Sequence, residues 1–116
     1  MILEQGDKVM IVHRRLYQED CSRYFVGVVD GYADGIAKVT GHTWLRDNDA
    51  GRFIVKKDPR TKIFSLQSGT LIVYQLPGDV DMAKLSFVED DQLNCSLNDG
   101  KDLSIDVTET VHVTLV

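Results

Sequence analysis

The sequence predicts an all-β protein, a small and strongly bent barrel with additional C-terminal β-strands. Two patterns carry that expectation. Apolar residues recur at alternate positions or in short runs bounded by Gly, Asp, Asn and Pro, and no window of about ten residues keeps a helical period. In addition, the longest expected hairpin sets Gly27 opposite Gly41, and strands without side chains at facing positions bend sharply. A chain of 116 residues suits one domain spanning 1–116, with the barrel core at 7–76 and an acidic β extension at 77–116 packed on it.

Strands are expected at Lys8–Arg14, Arg23–Tyr32, Ile36–Leu45, Arg52–Lys57, Lys62–Leu66, Thr70–Leu76, Lys84–Val88, Gln92–Leu97, Lys101–Val107 and Val111–Leu115. Opposed residues of a hairpin share a sheet face, so polarity tests the register. A three-residue loop Ala33-Asp34-Gly35 pairs Val29 with Val39 and Asp30 with Lys38, and points Phe25, Val29, Ala37 and Val39 inward. A three-residue loop Asn98-Asp99-Gly100 pairs Cys95 with Leu103 and Leu93 with Ile105. Both place a glycine, Gly35 or Gly100, where φ must be positive.

The net charge of −5 is unevenly spread. Residues 1–76 hold 11 basic and 9 acidic side chains, whereas residues 77–116 hold 2 and 9. The C-terminal part reads as a solvated acidic face; the alternative is that it repels nucleic acid, which leaves only the first part as a binding surface. The opening residues carry no basic flank followed by a long apolar run, so a cytoplasmic address without membrane contact is expected. Cys21 and Cys95 have no metal-binding spacing and read as free thiols. No cofactor or metal is expected. Asp47-Asn48-Asp49 resembles the start of a calcium loop, but Asp58 stands where its final glutamate belongs, so a turn is the better account.

Within the bent hairpin, Phe25-Val26-Gly27-Val28-Val29-Asp30-Gly31-Tyr32 resembles the first signature of Sm-like proteins, through the spacing of Gly27, Val29 and Tyr32. Ser68-Gly69-Thr70-Leu71-Ile72-Val73-Tyr74 is similar to the second, a glycine turn leading into a short apolar strand. The resemblance implies a small barrel of the Sm-like or SH3-like kind and a ring-shaped homo-oligomer. It places base contacts at Tyr32, Asp34, Ser68 and Gly69, and the subunit interface at Leu71, Ile72, Val73 and Tyr74. Two departures bear on function: the loop after the first signature lacks the family's asparagine, and Ser68 stands where the second signature carries arginine.

The cations Arg52, Lys56, Lys57, Arg60 and Lys62 are diluted only by Asp58. They suit phosphate contacts, with Trp44 or Phe53 as stacking platforms and Pro59 turning the chain back to bring Lys62 near Lys57. The structural alternative is an edge strand protected by lysines. His13, His42 and His112 stand in separate strands without partners at catalytic or ligand spacing, and His13-Arg14-Arg15 extends a basic patch if the fold brings it near. The sequence thus points to a non-enzymatic homo-oligomeric module with weak, non-standard binding of single-stranded RNA. The alternative is a structural or protein-interaction module that meets an unidentified protein through its acidic C-terminal strands.

Overall fold

A computed structural model of the chain describes residues 2–14, 22–47, 52–91 and 94–107. They form two compact units, Met1–Asp79 and Val80–Val116, built from antiparallel strands and a single 3-10 turn at Met82–Lys84. Among the described residues no helix is long and apolar enough to cross a membrane. The expected tenth strand, Arg15, Cys21, His112 and the Asn48-Asp49 part of the acidic turn lie outside the described residues.

The first unit contains β1 (Lys8–His13), β2 (Arg23–Ala33), β3 (Ile36–Asp47), β4 (Arg52–Val55), β5 (Arg60–Ser65) and β6 (Leu71–Gln75). Their order is β4-β3-β2-β1-β6, with β5 also pairing with β3. Among the described residues no ladder joins β5 to β6, and no closed barrel is formed by them. Alternate residues of the strands face one core made by Leu3, Val9, Ile11, Phe25, Val29, Ala37, Val39 and Phe64. The four residues expected to point inward are all among them, because their positions follow from the period-two alternation. On the other face of β1 and β2, Met10 and Tyr24 are also fully buried.

Gly27 pairs with Gly41 and Val29 with Val39, as the polarity test requires, but the hairpin reaches that register differently. Ala33 pairs with Ile36, so the turn is the two-residue Asp34-Gly35, with φ of 52° and 79°. Two consecutive positive φ values match the right-handed twist of the flanking strands. The register then shifts between Val29 and Gly31, where Asp30 is the extra residue of a β-bulge. A two-residue turn plus one bulged residue gives the same distant pairing as a three-residue loop. Asp30 consequently does not pair with Lys38. Its carboxylate accepts a hydrogen bond from Thr40 Oγ1, which lies 2.8 Å from Thr61 Oγ1 and so links three strands.

The segment after β4 departs further from expectation. Both β4 and β5 run antiparallel to β3, pairing Val55 with Trp44 and Arg60 with Gly41. Pro59 therefore does not reverse the chain. The chain continues in the same direction along β3, and the Lys56–Pro59 excursion takes up two extra residues before pairing resumes. A proline lacks the N–H a ladder needs, which suits it to an interruption of this kind.

The second unit is a three-stranded sheet of β7 (Ser86–Glu89), β8 (Cys95–Asn98) and β9 (Ser104–Asp106). β7 starts later than expected because Asp81 caps the 3-10 turn, accepting from the Ala83 N–H at 3.0 Å. Leu97 pairs with Ile105, and the Val107 N–H donates to the Cys95 carbonyl, so the β8–β9 loop holds five residues, Asp99 to Leu103, and not three. Asp99 Oδ1 explains the longer loop by accepting from the N–H groups of Lys101 and Leu103. These bonds hold its carboxyl below the ordinary value. The parity of the loop is unchanged, which keeps Cys95 and Leu97 buried, and Gly100 has the expected positive φ of 81°.

Candidate functional site

Followed toward one end of the first unit, each inward-facing row of side chains changes from apolar to cationic or polar. On β1 the row runs Val9, Ile11, His13; on β2 it runs Val29, Gly27, Phe25, Arg23. On β3 Val39 and Gly41 lead to Thr43, and on β5 Phe64 leads to Lys62 and Arg60. Register brings these ends together, since His13 pairs with Arg23, Phe25 with Thr43 and Val39 with Lys62. The Lys56 N–H donates to the Thr43 carbonyl at 2.9 Å, which fixes the Lys56–Pro59 excursion beside the same end.

The result is a pocket of about 560 Å³ whose lining includes His13, Arg23, Phe25, Lys56, Lys62 and Phe64. Among the described residues no carboxylate is in its lining. Its floor is aromatic, with the Phe25 and Phe64 rings 5.4 Å apart and tilted by 52°. Lys62 Nζ lies 5.0 Å from the centre of the Phe25 ring and donates to Thr43 Oγ1 at 3.2 Å. A cation over an aromatic face is attracted by the ring's quadrupole, so the floor helps to hold the charge in place. The His13 ring stands 6.1 Å from Phe64.

The cations are close enough to act on one another. Burial, then Lys62 and Arg23, push the His13 imidazole below its ordinary pKa. Burial, then Lys56, Arg23 and Arg60, push the Lys62 ammonium below its own. Both shifts have the sign of crowded like charges in a partly desolvated site, a condition that a bound anion relieves.

No protein-family model, curated protein or solved structure matches this chain. The functional reading therefore rests on the site itself.

The structure separates the residues singled out in the sequence. Lys56 and Lys62 line the cationic pocket, and Arg60 lies beside it on β5, whereas Arg52 and Lys57 are exposed and outside the lining. Tyr32 and Asp34 lie at the turn end of the β2–β3 hairpin, and Ser68 and Gly69 lie in the β5–β6 connection, which starts beside that turn and ends beside Arg14; none of the four lines the cationic pocket. At the turn end Tyr32 borders a separate and more apolar pocket with Leu3, Leu66, Leu71 and Val73. The Leu66 N–H donates to the Gly35 carbonyl at 2.7 Å, joining the two turns of that end. Ser68 Oγ lies 2.7 Å from Thr70 Oγ1, and the Gly69 carbonyl accepts from the Arg14 guanidinium. Of the His13-Arg14 pair, His13 alone is in the lining of the cationic pocket.

The expected stacking platforms are also elsewhere. Phe53 packs against Tyr24 at 6.0 Å, and neither Phe53 nor Trp44 is in the lining of the pocket. Phe25 and Phe64 take the place at the pocket assigned to them. Arg23, Phe25 and Phe64 escape a reading that weighs only runs of cations, Arg52–Lys62 and His13-Arg14-Arg15. The register Gly27 opposite Gly41 already implied that Arg23 and Phe25 reach the same end as Thr43. What it did not contain was the unreversed path through Pro59 that sets Lys62 opposite Val39.

Proposed function

We propose that the chain is a non-catalytic, homo-oligomeric module of the Sm-like kind that holds single-stranded RNA through phosphate contacts. The cationic end of the core-facing sheet surface carries this reading. Four lining residues, His13, Arg23, Lys56 and Lys62, converge there over two aromatic rings, with no acidic residue in the lining among the described residues. Cations and rings of this kind hold phosphates and bases and do not read sequence, which agrees with the missing asparagine and arginine of the Sm-like signatures.

Assembly is supported by two open sheet edges. β6 pairs on one side with β1, and β5 on one side with β3, and no further strand pairs with either among the described residues. Exposed apolar side chains mark both, with Ile72 on β6 and Ile63 on β5. Such edges seek another strand. Pairing β5 of one copy with β6 of the next is head to tail, and a head-to-tail contact closes into a ring when the rotation permits.

A second reading uses the Val80–Val116 unit. A groove of about 460 Å³ is lined there by residues that include Glu89, Asp90, Asn94 and Asp106, a surface suited to a basic segment of a partner protein. One comparison separates the two. Filter binding of single-stranded RNA homopolymers across a salt series, run beside light scattering of the native protein, should give salt-sensitive and base-indifferent retention by an oligomer. A monomer that retains no RNA at low salt would overturn the first reading.

A further inference from the structure

Resting on the RNA-binding reading, we infer that the cationic pocket is a site for a phosphate monoester, the group found at the end of an RNA strand or on a free mononucleotide, rather than for the phosphodiesters along a strand. The shape of the pocket is the first argument. Its floor is Phe25 and Phe64, themselves part of the packed core with Ile11 and Val39 beneath, so the pocket is blind at its inner end. A polynucleotide can enter it end-on but cannot thread through.

Charge is the second argument. A phosphodiester brings one negative charge, whereas a monoester at neutral pH brings between about 1.5 and 2. The pocket concentrates its cations instead of spacing them along a track. Arg23 acts on both His13 and Lys62, and Lys62 is pressed as well by Lys56 and Arg60. Charges gathered around one point match a ligand that concentrates its own charge. Lys62 is also held in position, by Thr43 Oγ1 and by the Phe25 ring.

Size is the third. The volume of about 560 Å³ lies within the range of small-ligand sites and exceeds what a phosphate group fills. The remaining room, bounded by aromatic rings, fits the nucleoside that bears the phosphate. Free inorganic phosphate would leave that space wet.

The test uses one single-stranded RNA decamer carrying a fluorophore at one end and, at the other, either a phosphate or a hydroxyl, in both polarities. Anisotropy titrations are run at constant ionic strength on the full chain, with adenosine monophosphate as a competitor and also titrated directly by calorimetry. A terminal phosphate should tighten binding roughly tenfold, as one additional charge-assisted contact would. Adenosine monophosphate should displace the phosphorylated decamer. In Lys62→Gln and, independently, Arg23→Gln, the phosphorylated and unphosphorylated decamers should bind alike, with circular dichroism melts verifying the fold of each variant.

Equal binding of all decamers by the wild type would overturn the monoester site and leave the RNA-binding reading standing. Binding of adenosine monophosphate, lost in Lys62→Gln, without binding of any decamer would support the site, identify the free nucleotide as its ligand and overturn the RNA-binding reading. Binding of neither would overturn both.

Discussion

Gly27 and Gly41 face each other where β2 crosses β3, so closely that a Cβ on Gly27 would lie 2.3 Å from the Thr40 carbonyl oxygen and one on Gly41 would lie 2.0 Å from that of Val26. The obstructing atoms are backbone and belong to paired strands, so they cannot step aside. Gly27→Ala and Gly41→Ala should each destabilise by about 3 kcal/mol or more, at or beyond the upper end of ordinary overpacking. Gly35→Ala should cost about 1 kcal/mol. Its φ is positive, but the nearest neighbour is the end of the flexible Gln67 side chain. At Gly31 a Cβ meets nothing within 4 Å, and Gly31→Ala should be near neutral. Urea midpoints of the four variants check the order, and a neutral Gly27→Ala would overturn the close approach of the two strands as a constraint on the fold.

The edges of the sheet give a second test. Ile63 on β5 is 72% exposed and Ile72 on β6 is 44% exposed, so a lysine at either place should leave the folded monomer intact. In a head-to-tail assembly each would bury an unpaired charge at the contact, and each variant alone should be monomeric. An equimolar mixture of Ile63→Lys and Ile72→Lys should then stop at dimers, because one intact edge of each kind remains. Light scattering after size exclusion distinguishes that result from a two-fold symmetric contact through one kind of edge, in which the variant with that edge intact is already dimeric on its own.

His13 supplies a pH signature. Burial, and then Lys62 and Arg23, lower its pKa below the ordinary 6.5, so the folded chain favours the neutral ring more than the unfolded chain does. The unfolded state therefore binds more protons between the two values. Stability should be fully present above about 6.5 and should decline as pH falls through 6.5 toward the lower folded-state value. His13→Gln should flatten this part of the profile. Lys62→Gln should narrow it, by removing the larger of the two Coulombic causes. Denaturant midpoints between pH 5 and 8 measure both, and an unchanged profile in His13→Gln would remove the linkage.

Much of the fold was legible because one rule, the period-two alternation, fixes both the strands and the faces they present. It placed Phe25, Val29, Ala37 and Val39 inward and found nine strands that overlap those observed. It could not distinguish a three-residue loop from the Asp34-Gly35 turn plus a bulge at Asp30, since the two agree everywhere beyond the bulge. The candidate site was only partly legible. Its lysines stood out as a run, but its members come from four strands, and proximity depends on ladders such as His13 with Arg23 that no local pattern announces. Pro59 misled for a similar reason. Proline marks an interruption, and whether a chain turns back or resumes its path depends on the strand beside it.

The last prediction concerns how nucleic-acid affinity divides between the two ends of the β2–β3 hairpin. Phosphate contacts release counterions, so a log–log plot of the affinity for single-stranded RNA against salt should fall with a slope of about −0.7 per contact. Replacing Arg23, Lys56 or Lys62 by Gln should each flatten the slope by roughly that amount, because all three side chains line the cationic pocket. Lys57, in the same sequence run but outside the lining, should contribute less. Tyr32 borders the apolar pocket with Leu66 and Leu71, which shares no lining residue with the cationic one. Tyr32→Ala should leave both the slope and the ranking of homopolymers unchanged. If Tyr32→Ala instead abolished a strong base preference while Lys62→Gln changed nothing, the working surface would be the one around Tyr32, a position at which the Sm-like resemblance places a base contact, and the cationic pocket would lose its claim.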